Sequence, residues 1–418
     1  MRNDQRHGIR FSSHRTQPMV GMGMGAMLLM ASTIGALAEK KYDQGASDSE
    51  IKIGNTGPYS GPASTYSIVL KTQAAFFKMI NDKGGISGRK INFISYDDAY
   101  SPPKTVEQTR KLVEGDQVLF VFGTLGTAPS AAIHKYMNRE KVPQLFVASG
   151  ASRWNDPKNF PWTMGILPSY RSEARAYGSY ILTNYPDKKI GVLYQNDDFG
   201  KDHIAGLKDA LKEKYDKLVV ATATFEVTDP TVDSQVVRIQ NAKPDIFINL
   251  GAPKFTAQAI KRAAELNWHP VQIISNVAIS VSSVLQPAGL ENSKGILSTG
   301  FLMPVGDPTW EATPGMKRFR EFMAKYMPDA DKSEILTLSA YNGALVLEQV
   351  LKQCGDNLTR ENVMKQAASL DFEIDTYLPG IRVKTSPTDF DPIEQLQMMK
   401  FTGEKWETFG PIIDSHQE

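Results

Sequence analysis

Two glycine- and hydroxyl-rich turns hold the groups in this chain best suited to binding a small anion. The apolar run Val118-Leu119-Phe120-Val121-Phe122 leads into Gly123-Thr124-Leu125-Gly126-Thr127-Ala128-Pro129-Ser130, which opens a helix. Glycines admit a ligand close to the backbone, Thr127 and Ser130 bring hydroxyls, and a helix start offers unpaired N–H groups, so a carboxylate fits there. An ordinary Thr/Ser-capped helix has the same composition, and this turn alone leaves both readings open. The second turn, Ser149-Gly150-Ala151-Ser152, follows the apolar Leu145-Phe146-Val147-Ala148. Turns after neighbouring strands converge at the carboxyl edge of an open α/β sheet, where ligands bind.

Other reactive groups are sparse. Asp97-Asp98 and Asp197-Asp198 are paired acids at strand ends, read as loop acids capping the helices that follow rather than as acid/base pairs. His134, His203, His269 and His416 are scattered, without the i, i+4 spacing of a helical metal site, and no metal or cofactor is expected. There is no G-x-x-x-x-G-K-[ST] phosphate loop, and Ser149-Gly150-Ala151-Ser152 is not a G-x-S-x-G nucleophile elbow. Cys354 is the sole cysteine, which excludes an intrachain disulfide.

The turns need a scaffold, and the sequence supplies one. Short apolar runs at Ile51–Gly54, Ile91–Ser95, Val118–Phe122, Leu145–Ala148, Ile190–Tyr194, Val219–Ala223, Ile246–Leu250 and Ile273–Ser275 read as strands buried on both faces. Helical spacing separates them, as with Ile68, Ala75, Phe76, Met79 and Ile80. Alternation of this kind predicts parallel sheets with helices on both sides. The run Lys90–Phe93 into Asp97-Asp98-Ala99-Tyr100 echoes Lys189–Val192 into Asp197-Asp198-Phe199-Gly200, which points to two similarly built lobes. Met164–Ser169 reads as a crossing between them, residues 321–370 as mainly helical, and Met398–Trp406 as a hairpin.

At 418 residues the chain exceeds one ordinary core. Lys+Arg 47 against Asp+Glu 46 provides no field for a polyanion, so nucleic acid is not an expected partner. Residues 1–38 stand apart: Arg2, Arg6, Arg10 and Arg15 precede an apolar stretch, Met19–Ile34, and then Ala36-Leu37-Ala38. That order is a secretory signal, cleaved after about Ala38, and the apolar stretch falls short of the ~20 residues of a spanning helix. The expected product is an exported, periplasmic monomer.

At these residues the chain resembles the periplasmic binding proteins of branched-chain amino acid ABC importers, the leucine/isoleucine/valine-binding type. The resemblance rests on Ile51–Gly54 with Ser60-Gly61-Pro62, on Ile80-Asn81-Asp82-Lys83-Gly84-Gly85-Ile86-Ser87-Gly88, and on Tyr96-Asp97-Asp98. It continues through Gly123–Ser130, Asp198-Phe199-Gly200-Lys201 and Pro287-Ala288-Gly289-Leu290, spanning nearly the whole mature chain. It implies an α/β fold of two doubly wound lobes joined by a three-stranded hinge, with the ligand in the cleft between them. One lobe would be 48–167 plus 300–396, the other 168–299 plus 397–418. The implied function is capture by hinge closure and delivery to an inner-membrane ABC permease, without chemistry on the ligand.

Site positions carry over singly. The resemblance implies ligand contacts at Tyr66, Thr127, Gly150, Ser152, Phe199, Ala252 and Val277. Ser149 and Asn276 adjoin these, Tyr59, Trp154 and Tyr170 lie near enough to stack on a ring, and Arg171 would add positive charge. Two departures bear on the ligand. Ala252 stands where amino-acid binders place an aromatic, and Asn276-Val277 stands where they place the acid that pairs the α-ammonium. A buried ammonium without an acceptor is costly. The expected ligand is therefore a small carboxylate without an amine, with an aromatic acid favoured by the room at Ala252. A branched-chain or neutral amino acid binder of the same fold is the alternative. A ligand-sensing module and an exported hydrolase are alternatives of other classes.

Overall fold

The structure is a computed structural model that describes residues 40–414. The stretch read as a secretory signal, 1–38, and His416 lie outside the described residues.

The strands in chain order are β1 (Lys41–Tyr42), β2 (Glu50–Gly57), β3 (Lys90–Asp97), β4 (Phe120–Phe122), β5 (Gln144–Val147), β6 (Thr163–Gly165), β7 (Ile190–Gln195) and β8 (Val219–Phe225). They continue as β9 (Ile246–Leu250), β10 (Val271–Ile274), β11 (Leu297–Gly300), β12 (Asn357–Leu358), β13 (Asp371–Glu373), β14 (Arg382–Lys384), β15 (Gln395–Phe401) and β16 (Trp406–Asp414). One sheet has the order β3-β2-β4-β5-β6 and is parallel throughout. The other has the order β16-β15-β11-β10-β9-β7-β8, parallel except where β15 and β16 return as a hairpin. Two short pairs, β1 with β12 and β13 with β14, sit apart.

The eight expected strands are all present. The two large sheets hold two further strands outside the expected set and the hairpin, β6 and β11, because Thr-Met-Gly and Leu-Ser-Thr-Gly are too short and too small to stand out as apolar runs. The short pairs β1–β12 and β13–β14 are likewise additional. The reason for parallel pairing is visible at β4, whose three residues are almost wholly buried: both faces are covered by helices, so every position is apolar.

The chain passes between the sheets three times: after β6, after β11 and before β15. Helix Tyr170–Asn184 packs on helix Asp198–Leu211 beside the second sheet, with Tyr170 edge-on to Phe199 at 4.8 Å. Helices Pro314–Tyr326 and Ile335–Cys354 return to the first lobe, where Phe76 meets Tyr341 at 5.3 Å and Phe322 at 6.3 Å. Thr359 caps helix Arg360–Ala367 by accepting from Asn362 N–H. Cys354 is buried, and loss of solvent pushes its thiol up to about 12, so it is unreactive packing.

Candidate functional site

The cleft between the two sheets opens where β4, β5, β7, β9 and β10 end. Helix Thr127–Arg139 begins there, and no side chain caps its first turn. Its N-terminal N–H groups and the positive end of its dipole are left for a ligand. Gly126 precedes it at φ 99°, and a Cβ there would lie 2.3 Å from the Tyr100 ring. Glycine thus allows both the backbone turn and the seating of Tyr100 over the helix start.

Thr127 and Ser149 link the two turns, with Oγ1 and Oγ 2.7 Å apart. Ser149 Oγ also accepts from Trp154 Nε1–H at 3.0 Å and from Ala151 N–H at 3.2 Å. Those two bonds occupy its lone pairs, which leaves the Ser149 proton for Thr127 or for the Tyr170 phenol. The Tyr170 phenol points to the same place from the other lobe. Burial drives it above its ordinary range, opposed by the Gly150 backbone and by the Ser149 and Thr127 hydroxyls. A Cβ on Gly150 would collide with Pro168 O and press on the Tyr170 ring, so this glycine seats Tyr170.

Of the site positions read from sequence, Tyr66, Thr127, Phe199, Ala252, Asn276 and Val277 come together on the cleft wall, with Tyr170. Tyr66 donates across the cleft to Val277 O at 3.3 Å. The other six positions lie off the wall. Ser149 and Gly150 stand directly behind it, on Thr127 and Tyr170. Trp154 is buried against Ser149 and His134. Ser152 is committed to Asp202 of the facing lobe, through its N–H at 2.7 Å and its hydroxyl at 3.0 Å. Tyr59 bonds Ser95 Oγ at 2.7 Å, and Arg171 is paired with Asp209 at 2.9 Å on the surface.

The cleft has members that the sequence reading missed. Gln73, Tyr100, Phe122, Phe146 and Gln195 line it. Phe146 sits at φ 55° where β5 is irregular between Gln144 and Val147, and such a bulge redirects a side chain beside a site. Nothing in Leu-Phe-Val announces that bulge. Tyr100 and Gln195 adjoin the acid pairs and were findable from them.

The acid pairs are structural. Asp97 takes N–H bonds from Tyr59, Ser60 and Ala99, and Asp98 holds Tyr100 N–H and the Thr105 hydroxyl. Burial lifts the Asp98 carboxyl to about 6, against the hydrogen bonds it accepts. Asp197 caps helix Asp198–Leu211 through Phe199 and Gly200 N–H, and Asp198 pairs with Arg153 at 2.7 Å. No group of three or more metal-ligating side chains occurs among the described residues.

Charge is what the wall lacks. Among the described residues, none that lines the cleft is Asp, Glu, Lys, Arg or His. One acid, Glu173, stands behind the Ser275–Val277 turn, fully buried and turned inward. It accepts from Asn276 N–H at 2.8 Å and from Tyr177 O–H at 2.5 Å, with His203 Nε2 3.6 Å away. The Asn276 amide nitrogen is buried and has no partner in the protein. The site therefore presents neutral donors, a helix N-terminus and apolar surface, which suits reversible binding of a small anion.

Two α/β lobes around an uncharged, donor-lined cleft define a solute-binding protein. The chain belongs to the periplasmic binding protein family, whose model matches residues 50–405. It is similar to the leucine-, isoleucine-, valine-, threonine- and alanine-binding protein of Pseudomonas aeruginosa, at 24% identity over 349 residues, 82% of this chain and 88% of the relative. Two solved structures share the fold. One is an R. palustris ABC-transporter solute-binding protein in complex with benzoate (TM-score 0.73, 19% identity, 87% of this chain and 98% of that one). The other is a Thermus thermophilus branched-chain amino acid ABC transporter with bound valine (TM-score 0.77, 15% identity, 88% and 97%).

Proposed function

We propose that this protein is the exported, periplasmic solute-binding component of an ABC importer, and that it captures an amine-free monocarboxylate with an apolar, ring-sized body. The uncharged wall carries the reading. A carboxylate finds the open helix start, the Thr127 and Tyr170 hydroxyls and the unpaired Asn276 amide. An ammonium beside the same helix start would meet the positive end of the dipole and no acid. Closure of the lobes brings both walls onto the ligand, and the closed protein then docks on a membrane permease.

A neutral or branched-chain amino acid is the second reading, favoured by what the P. aeruginosa relative is named for. It requires Glu173 to turn out of its bonds to Tyr177 and Asn276. A matched pair decides between the two. Leucine and 4-methylpentanoate differ only by the amine, and binding raises the melting temperature by linkage. Thermal-shift titrations should show stabilisation by 4-methylpentanoate and benzoate exceeding that by leucine, isoleucine and valine. Stabilisation by leucine with none by any amine-free acid refutes the proposal.

A further inference from the structure

We infer that the ligand is elongated: a monocarboxylate whose alkyl or arylalkyl body runs past the Ala252–Val277 space into a second chamber beside the interlobe crossings. This rests on the cleft being the ligand site and adds the shape of what it holds.

The cavity does not end at Ala252 and Val277. It continues along the second crossing at Phe301, Leu302 and Val305, and along the β15–β16 hairpin at Met399 and Trp406. Its opposite wall is one face of helix Ile335–Cys354, formed by Ile335, Leu336, Ser339, Ala340 and Gly343. Three of those five are small. A Cβ at Gly343 would meet nothing nearer than Ile166 Cγ1, at 4.0 Å. Alanine would therefore fit, and glycine inside a helix is the less stable choice. Packing does not require glycine there, and its effect is to leave room.

The chamber's polar groups are mostly occupied elsewhere. Glu334 at its end accepts from Ser280 Oγ at 2.7 Å, Ser282 Oγ at 3.1 Å and Leu336 N–H at 3.0 Å. The Trp406 indole N–H donates to Ile279 O at 2.8 Å. A polar or charged tail would find few partners, whereas an apolar one buries against aliphatic and aromatic carbon.

Calorimetric titration of the purified protein with hexanoate, octanoate, decanoate, 4-phenylbutanoate and octanamide tests this. Affinity should rise about fourfold per added methylene until the chamber fills. Gly343→Leu should lower the octanoate-to-hexanoate affinity ratio by about tenfold, and Gly343→Ala should lower it less, which keeps the test open if the larger side chain impairs folding. Affinity that is flat or falling with chain length, or a ratio unmoved by both variants, overturns the inference. If octanamide binds as tightly as octanoate while the chain-length slope persists, the anion reading fails and the chamber stands. If carboxylates are preferred with no slope, the chamber fails and the anion reading stands.

Discussion

Thr127 Oγ1 and Ser149 Oγ lie 2.7 Å apart, a single buried contact that joins the two hydroxyl-rich turns at the cleft wall. A hydrogen bond to a charged group is worth ~1.5–3 kcal/mol, so Thr127→Ala should weaken benzoate binding about 10- to 150-fold. Thr127→Ser should keep most of it. Ser149→Ala removes the acceptor of the buried Trp154 indole N–H and should cost about 1–3 kcal/mol in urea unfolding. Thr127→Ala binding benzoate like the parent would make the turn purely structural.

Val277 stands on the wall where an ammonium partner is absent. Val277→Asp should invert the preference between leucine and 4-methylpentanoate, shifting their affinity ratio by about 10- to 150-fold toward leucine. Competition titration of the two ligands measures it. A ratio unchanged from the parent would show that Val277 does not face the amine position.

Closure has its own contacts at the rim, separate from ligand contacts. Asp202 holds Ser152, and Asp198 holds Arg153, in each case across the lobes. Asp202→Ala should raise the ligand dissociation rate several-fold with little change in association, because the closed state loses a latch while the open state loses nothing. Stopped-flow displacement reads this. Small-angle scattering of the parent should show compaction on saturation with benzoate, and an unchanged radius of gyration would count against hinge closure.

Asp98 gives a pH signature. Its folded value, about 6, lies above the ordinary aspartate range because burial disfavours its charge. The folded state then binds the proton more tightly than the unfolded chain. The resulting stability is present below about pH 4 and is lost as pH rises toward 6. Asp98→Asn removes that titration. The stability of the parent relative to the variant should fall between pH 4 and 6, and a difference that is flat across this window would place Asp98 in contact with solvent.

The local rules settled much of this protein. Apolar runs of three to five residues named eight strands, most clearly the inner ones such as β4, β5 and β9, because a strand covered on both faces has no polar position to blur the signal, whereas the edge strands β3 and β8 are partly exposed. Gly126 and Thr127 were legible because glycine suits a tight turn and threonine brings a hydroxyl to a helix start, and the structure adds that the helix is uncapped. Tyr66, Phe199, Ala252 and Val277 followed from resemblance to a family, not from local chemistry. What composition could not convey was direction. Ser152 reads as a ligand hydroxyl until Asp202, fifty residues later, meets it from the facing lobe. Glu173 lies in a helix with nothing to mark it, and only packing puts it behind the turn that lacks an acid. The far chamber is the clearest case. Gly343, Val305 and Met399 are distant in sequence, and each alone is an ordinary core residue. Empty space is a property of how two crossings, a hairpin and a helix fail to touch, and only the tertiary structure decides that.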